Sequence, residues 1–448
     1  MVVMSKSARV VRIIGGGLAG SEAAWQCLRA GLDVDLYEMR PVRQTAAHQT
    51  GNLAELVCSN SLKSLLPNSA PGQLKAEMRA LDSLVIAAAE AAAVPAGNAL
   101  AVERIKFSHL IEERLAAHPG FRRLAAEVTE LPSAAVLEAE DSAWIIATGP
   151  LTSDAMVKAL AGASGDPRRL HFYDAIAPII DAASLDMSQL FFASRYQDDN
   201  DDYLNIPLDR DQYERFLDAA TAAEKMPLHE FEDIRYFEAC LPIEVMIERG
   251  RNTLRFGPMK PVGLTNPKTG HRPWANIQLR RENQGGTMYS MVGFQTKMKW
   301  PEQQRVFGLL PGLENVEFFR FGSVHRNTYL SSPQILAGDL SLRASPRLFV
   351  AGQLTGVEGY TESAAIGLLA GRAAVARLTG KTFAAPPPTT VIGSLLSYVT
   401  LGTAGDFQPM NANFGLLPAG AGRTRDERRL NQCSRAREDL DAYVSASN

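Results

Sequence analysis

The first clear apolar pattern runs from Arg9 to Ile14, a short run of branched residues that predicts a β-strand. Gly15, Gly16, Gly17, Leu18, Ala19 and Gly20 follow it. Ser21 to Ala30 then has the spacing of a helix, closed by Gly31. Val34 to Tyr37 predicts a second strand, with Glu38 at its end. Strand, glycine turn and helix return late in the chain. Arg347 to Ala351 predicts a strand ending in Gly352, Gly356 and Gly359 punctuate the turn, and Thr361 to Leu378 predicts a helix of small residues. Between the two, Trp144 to Thr148 with Gly149-Pro150 predicts another strand and turn of the same unit.

Gly15, Gly17 and Gly20 form a GxGxxG between a strand and a helix. The first glycine permits the tight turn, the second lets backbone approach a pyrophosphate, and the third lets helix and strand pack closely. The helix N-terminus offers free N–H groups and a positive dipole end. Glu38 stands where an acid accepts ribose hydroxyls. By itself the late helix would be a plain core helix. Its N-terminus after a glycine turn would also set positive dipole against the N1–C2=O edge of a flavin. Three dispersed segments converging on one nucleotide fold favour FAD over NAD. The expected fold is α/β: a Rossmann-like, glutathione-reductase-like FAD-binding domain at 1–190 and 320–448, with an inserted mixed α/β domain at 191–319.

Composition adds limits. The 448 residues, 46% hydrophobic and 21% charged, suit a globular protein of two or more domains. The net charge of −3 does not announce a nucleic-acid binder, so an RNA site needs a local basic patch. Such a patch exists in the sequence. Residues 197–248 carry 15 acidic and 4 basic side chains, whereas 249–305 carry 11 basic and 2 acidic, with Trp274, Tyr289, Phe294 and Trp300 interleaved. The stretch is either an RNA-facing surface or the ion-pairing partner of the acidic half. The arginines from Arg423 to Arg437 are expected on a solvated helix face.

Cys27, Cys58, Cys240 and Cys433 are widely spaced, so neither CxxC chemistry nor metal-ligand spacing is expected. No signal peptide and no apolar run near the roughly 20 residues of a membrane helix is visible, and the expected compartment is the reducing cytoplasm. Ser59, Asn60 and Ser61 are helix-capping types, which would put Cys58 at a helix start near Lys63. Pro242 disfavours a helix at Cys240. By default each cysteine is a buried thiol, and His325 a loop histidine.

At these residues the chain resembles the TrmFO family, folate- and FAD-dependent tRNA (uracil-5-)-methyltransferases related to the GidA/MnmG flavoproteins. The resemblance rests on GGGLAGSEAAWQ, ELVCSNSLKS, DDYLN, ACLPIEVM, GPMKPVGL, MVGFQTKMKWPEQQRVFGLLPGLE, HRNTYL, VAGQLTGVEGYTESAAIGLLAGR and FQPMNANFGLLP. It implies methylation of uracil C5 in the tRNA T-loop, with methylenetetrahydrofolate as one-carbon donor, FAD as cofactor and NAD(P)H as reductant. A thiolate adding at C6 would activate C5. The resemblance gives that role to Cys240, places Cys58 near the flavin as base for the C5 proton, and sets His325 against the folate pterin. Two alternatives stay open: the same chemistry on a ribosomal uridine, and a flavoprotein oxidoreductase or regulator that does not act on RNA.

Overall fold

A computed structural model describes residues 9–45, 47–165, 170–196, 202–226, 241–402 and 407–447, without the side chains of 170–176, 324–326 and 447. Branched side chains make its first sheet. Val11, Ile13, Val34 and Leu36 are fully buried on the adjacent strands Val10–Ile14 and Asp33–Glu38. The sheet runs Ser341–Leu342, Ser345–Val350, Ala143–Ile146, Val10–Ile14, Asp33–Glu38, Phe121–Ala125. All pairs after the first are parallel, with Ile13 opposite both Leu36 and Ile145.

The helix Leu18–Arg29 starts three residues before the predicted Ser21, because Gly17 is its N-cap. It crosses Tyr360–Thr379 at very short range. A Cβ on Gly367 would meet the Ala19 carbonyl at 2.2 Å, and one on Gly371 the Ala23 carbonyl at 2.8 Å. The two nucleotide-fold segments, at opposite ends of the sequence, are therefore locked helix to helix. Glu22, on the same helix, accepts from Ser83 Oγ at 2.7 Å and Val85 N at 2.9 Å, capping Leu84–Ala91 from outside.

The second sheet is antiparallel throughout, in the order Phe191–Phe192, Tyr203–Leu208, Ala275–Arg281, Met288–Met291, Ile179–Asp181, Phe318–Arg320. The helix Arg210–Ala222, opened by a capping box on Asp209, contributes Phe216, which packs with Phe294 and Phe307 at centroid distances of 6.1–6.4 Å. The main apolar residues form two separate cores. One gathers positions from 11 to 160 and 329 to 417, the other positions from 180 to 316. The chain leaves the first and returns to it along paired antiparallel strands, Leu170–Ile176 and Ser323–Tyr329.

The C-terminal arginines lie on a helix, Arg425–Ser447, that is largely exposed but buries Cys433, Ala436 and Leu440. Among the described residues no helix is long and apolar enough to cross a membrane.

Candidate active site

The turn after Val10–Ile14 has the geometry that its glycines require. Gly15 has φ +102°, and a Cβ there would meet the Ala147 carbonyl at 2.4 Å. A Cβ on Gly20 would meet the Gly15 carbonyl at 1.9 Å, so this glycine sets the helix–strand approach. Gly16 turns away from solvent, where a Cβ would meet Leu53 Cδ2 at 2.4 Å. A Cβ on Gly17 would meet nothing within 4 Å. Gly17 faces a cleft also lined by Gly15, Leu18, Ala19, Glu38 and Gly352. Open space before a helix N-terminus that lacks a side-chain cap fits a dinucleotide pyrophosphate.

Glu38 ends its strand as expected, but its carboxylate is already engaged. Oε1 accepts from Arg40 N and Nε at 3.0 and 2.9 Å, and Oε2 from Gly16 N and Arg40 Nη2 at 2.9 and 3.1 Å. Burial alone would raise this carboxyl. The hydrogen bonds and charge of Arg40, with the Gly16 N–H, outweigh it and hold Glu38 below the usual carboxylate range. Sequence reasoning missed His48 in the same cleft wall. Burial, then the charge of Arg40, pushes its imidazole down to about 4, so it is neutral near neutrality.

The late turn closes the cleft from the other side. Gly352 has φ +74°, and a Cβ on it would meet Ala19 Cβ at 2.7 Å. Gly356, at φ +87°, leaves room for the Phe407 ring. Gly359, at φ +119°, is the N-cap of Tyr360–Thr379, and a Cβ there would meet Glu362 Oε2 at 2.2 Å. Of the three, Gly352 faces the cleft, and the other two shape its turn.

Cys58 is not at a helix start. The segment after it is a strand, Ser61–Ser64, paired with Ala99–Val102. Asn60 fixes that course: its side chain donates to Val102 O at 3.1 Å, and Val102 N donates to its carbonyl at 2.9 Å. Lys63 is committed to Glu362 at 2.6 Å. Other groups hold the cysteine. Cys58 N donates to Tyr360 Oη at 2.6 Å and Ser59 N to the same oxygen at 3.2 Å. Arg104 Nη2 donates to Cys58 O at 3.2 Å, and Arg104 Nε pairs with Glu282 Oε2 at 2.7 Å. Tyr360 and Val57 line the cleft, so the Cys58 loop borders it.

The second sheet reaches this loop. Arg280 Nε donates to Asn60 Oδ1 at 2.9 Å, and Asn60 Nδ2 to Arg281 O at 3.0 Å. Arg104, Arg280 and Arg320 all stand within electrostatic reach of Cys58. Burial lowers both Arg280 and Arg320. Arg104 on the Cys58 carbonyl and Arg280 on the neighbouring Asn60 give this loop a cationic flank, a basin that suits a polarised carbonyl or an anion. No spacing in the sequence marked Tyr360, Arg104 or Arg320 for this basin, because their contacts are long-range.

The other cysteines differ. Burial pushes the Cys27 thiol up to about 12 and raises that of Cys433, as inert thiols require. Cys240 lies outside the described residues. The chain directly after it forms a helix, Ile243–Glu248, with Pro242 as its N-cap, a position where the missing N–H costs nothing. His325 sits on the strand Ser323–Tyr329 opposite Asp174, and its side chain is outside the description. Among the described residues no group of three His, Cys, Asp or Glu side chains is placed to hold a metal ion.

The comparisons bear on this site. The family model of glucose inhibited division protein A matches residues 10–382. A Geobacter sulfurreducens protein named methylenetetrahydrofolate--tRNA-(uracil-5-)-methyltransferase TrmFO is 52% identical over 437 residues, 97% of this chain and 99% of that one. The Heliobacterium modesticaldum protein of the same name is 51% identical over 437 residues, 97% of this chain and 98% of that one. Among solved structures, Aquifex aeolicus GidA in its form II crystal superposes with TM-score 0.69 at 16% identity, over 97% of this chain and 73% of that chain. That likeness speaks for the fold, a nucleotide-binding sheet with a second sheet between its halves.

Proposed function

The chain belongs to the GidA family and, within it, to the TrmFO group, and from that premise we propose that it methylates C5 of a uracil in tRNA with methylenetetrahydrofolate as one-carbon donor. FAD is its cofactor, NAD(P)H the reductant, and the T-loop uracil the target. The observation that carries this reading is the position of Cys58: beside the dinucleotide cleft, with Arg104 on its carbonyl and Arg280 on the neighbouring Asn60, where the two sheets meet. A disulfide reductase would need a second thiol beside that cleft at close sequence spacing, and the sequence offers no such pair.

Bound FAD supplies the reducing equivalents that bring the transferred carbon to the methyl level. The chain does the rest. The N-terminus of Leu18–Arg29 holds the pyrophosphate, and Glu38 orients a ribose. The sulfur of Cys240 adds to uracil C6, which makes C5 nucleophilic as an enolate forms at C4–O. The arginines around Cys58 stabilise that oxygen's charge. Cys58 removes the C5 proton once the new C–C bond has formed, tetrahydrofolate leaves as the bond from its nitrogen to the transferred carbon breaks, and departure of the Cys240 sulfur, once that carbon is at the methyl level, restores the ring. The His325 ring packs on the pterin. The first sheet with its helices is the flavin-binding part and the sheet from Ile179 to Arg320 the RNA-facing part. The substrate places the enzyme in the cytoplasm.

The test is formation of 5-methyluridine in an unmodified tRNA transcript supplied with methylenetetrahydrofolate, FAD and NADPH or NADH. Product is expected only with folate and a reductant, and neither Cys58→Ala nor Cys240→Ala should turn over. Full methylation by Cys240→Ala would overturn the nucleophile assignment. Absence of product from the wild-type flavoprotein would overturn the function.

A further inference from the structure

The basic stretch 249–305 resolves into two populations. Most of its cations are already engaged. Arg251 pairs with Glu214 and Asp218, Lys299 with Glu224, and Arg305 with Glu302. Lys268 donates to the carbonyls of Met187, Ser188 and Leu190. Arg280 is buried against Asn60. Arg255, Lys260 and Arg272 are different. With Arg210 they line a single open groove of about 730 Å³. None of the four has an acidic partner among the described residues. The acid in the groove wall, Asp209, accepts from Gln212 N as the cap of its helix.

The groove also has aromatic faces. The Arg255 guanidinium carbon lies 3.8 Å from the Trp274 ring centroid and that of Arg210 lies 5.5 Å from it. Arg255 Nε is fixed there by donating to Trp274 O at 2.9 Å. Phe256, next in the chain, is 82% exposed, and Trp274 is 38% exposed. An acidic protein partner would be served by the cations alone. Planar cations stacked on an indole beside a bare phenyl ring suit a chain that alternates phosphates with flat bases.

The groove is placed apart from the chemistry. Tyr203–Leu208 and Ala275–Arg281 pair along their length, with Tyr203 opposite Arg280 and Leu208 opposite Ala275. The Tyr203 end touches the flavin-side sheet: Tyr203 Oη donates to Ala96 O at 2.9 Å and Arg280 reaches Asn60 beside Cys58. The groove lies at the Leu208 end, five residues further, roughly 17 Å along the strand. The strand pair thus joins the Cys58 loop to the groove as a rigid spacer.

We propose that this groove is a tRNA-docking site, holding an unpaired segment of the substrate by its phosphates and bases while the target uracil occupies the basin at Cys58. The inference rests on tRNA being the substrate. It adds where the second hold lies and which side chains form it.

The test is binding of an unmodified full-length tRNA transcript to the flavin-loaded enzyme over a range of salt concentrations. Arg272→Gln combined with Lys260→Gln should weaken binding and lower the salt slope by about 0.7 for each lost phosphate contact. Trp274→Ala and Phe256→Ser should each weaken binding roughly tenfold with little change in slope. Flavin content, flavin reduction by NADPH and kcat at saturating tRNA should stay at wild-type values while KM rises. Wild-type affinity and slope in both the charge and the aromatic variants would overturn the proposal. So would displacement of the tRNA by polyglutamate as effectively as by single-stranded RNA of equal charge. Weakened tRNA binding in variants of a wild type that makes no 5-methyluridine would leave the groove standing and overturn the enzymatic reading.

Discussion

The hydroxyl oxygen of Tyr360 accepts the backbone N–H of Cys58 at 2.6 Å, joining residues 302 positions apart. The same oxygen takes the Ser59 N–H at 3.2 Å. Tyr360 is the first residue of the helix Tyr360–Thr379, the helix that locks against Leu18–Arg29. The cysteine loop is thus positioned by the nucleotide fold itself. A shift of that helix moves Cys58 relative to the cleft.

Tyr360→Phe removes the acceptor and keeps the ring. Two partly buried N–H groups lose their partner, at a cost of about 1–3 kcal/mol each before water compensates. The expected result is normal flavin content with methyl transfer slowed roughly tenfold. Single-turnover kinetics with preformed reduced enzyme would isolate the effect. A rate equal to wild type would show that the loop holds its place without the tyrosine.

Glu38→Ala should be worse for stability than for chemistry. Arg40 is 1% exposed, and Glu38 is its principal partner; Glu55 supplies one contact at 3.0 Å. Removing one member of a buried pair costs roughly 3 kcal/mol or more. Glu38→Gln keeps an acceptor for the Gly16 N–H and should lose less. Because the folded state holds Glu38 below its ordinary value, its contribution is present above the unfolded carboxylate pKa and disappears as pH falls through the folded one. If the ribose uses this carboxylate, flavin retention should be weaker in both variants near neutrality and converge with the wild type as pH falls through the folded value of Glu38.

Much of the flavin-side fold was legible because its signals are local. A branched strand, a glycine turn and a helix occupy consecutive residues, and Gly20 answers the Gly15 carbonyl only five positions away. The Cys58 environment was not. The serines and asparagine after it read as caps, yet Asn60 spends its side chain on Val102 O and on Arg281 O, a partner 221 positions on. Strand pairing then overrides local preference. The basic stretch showed its charge in the sequence but not its pairing, since Glu214, Asp218 and Glu224 reach their partners only after folding.

The helix crossing at Gly367 and Gly371 carried a signal that sequence reading passed over. Small residues four apart, facing Ala19 and Ala23 also four apart, let two backbones approach closely. Gly367→Ala would place a methyl group 2.2 Å from the Ala19 carbonyl oxygen, so one helix must move. Overpacking of this kind costs about 1–3 kcal/mol. Ala19 lies on the first turn facing the dinucleotide cleft, so weaker FAD retention should accompany the lower Tm. A loss of Tm with unchanged flavin affinity would uncouple the crossing from the cleft.

Glu77 sets the opposite pH limb. Its carboxylate is buried and accepts from Val391 N at 2.9 Å and Ile392 N at 2.8 Å, at the start of the helix Val391–Leu401. Burial pushes it up to about 7, against the pull of those N–H groups. The folded state therefore prefers the protonated acid more than the unfolded chain does. That preference stabilises the fold fully below the ordinary carboxylate range and is lost as pH rises through about 7. A displacement from 4.5 to about 7 corresponds to roughly 3 kcal/mol between the two limits. Glu77→Gln keeps an acceptor at the helix start and cannot ionise. Thermal melts from pH 5 to pH 8 should show wild-type Tm declining across that window and the Gln variant nearly flat, with the two curves separating most at the alkaline end. Parallel curves would mean that the helix N–H groups hold Glu77 ionised throughout, and that the decline comes from elsewhere.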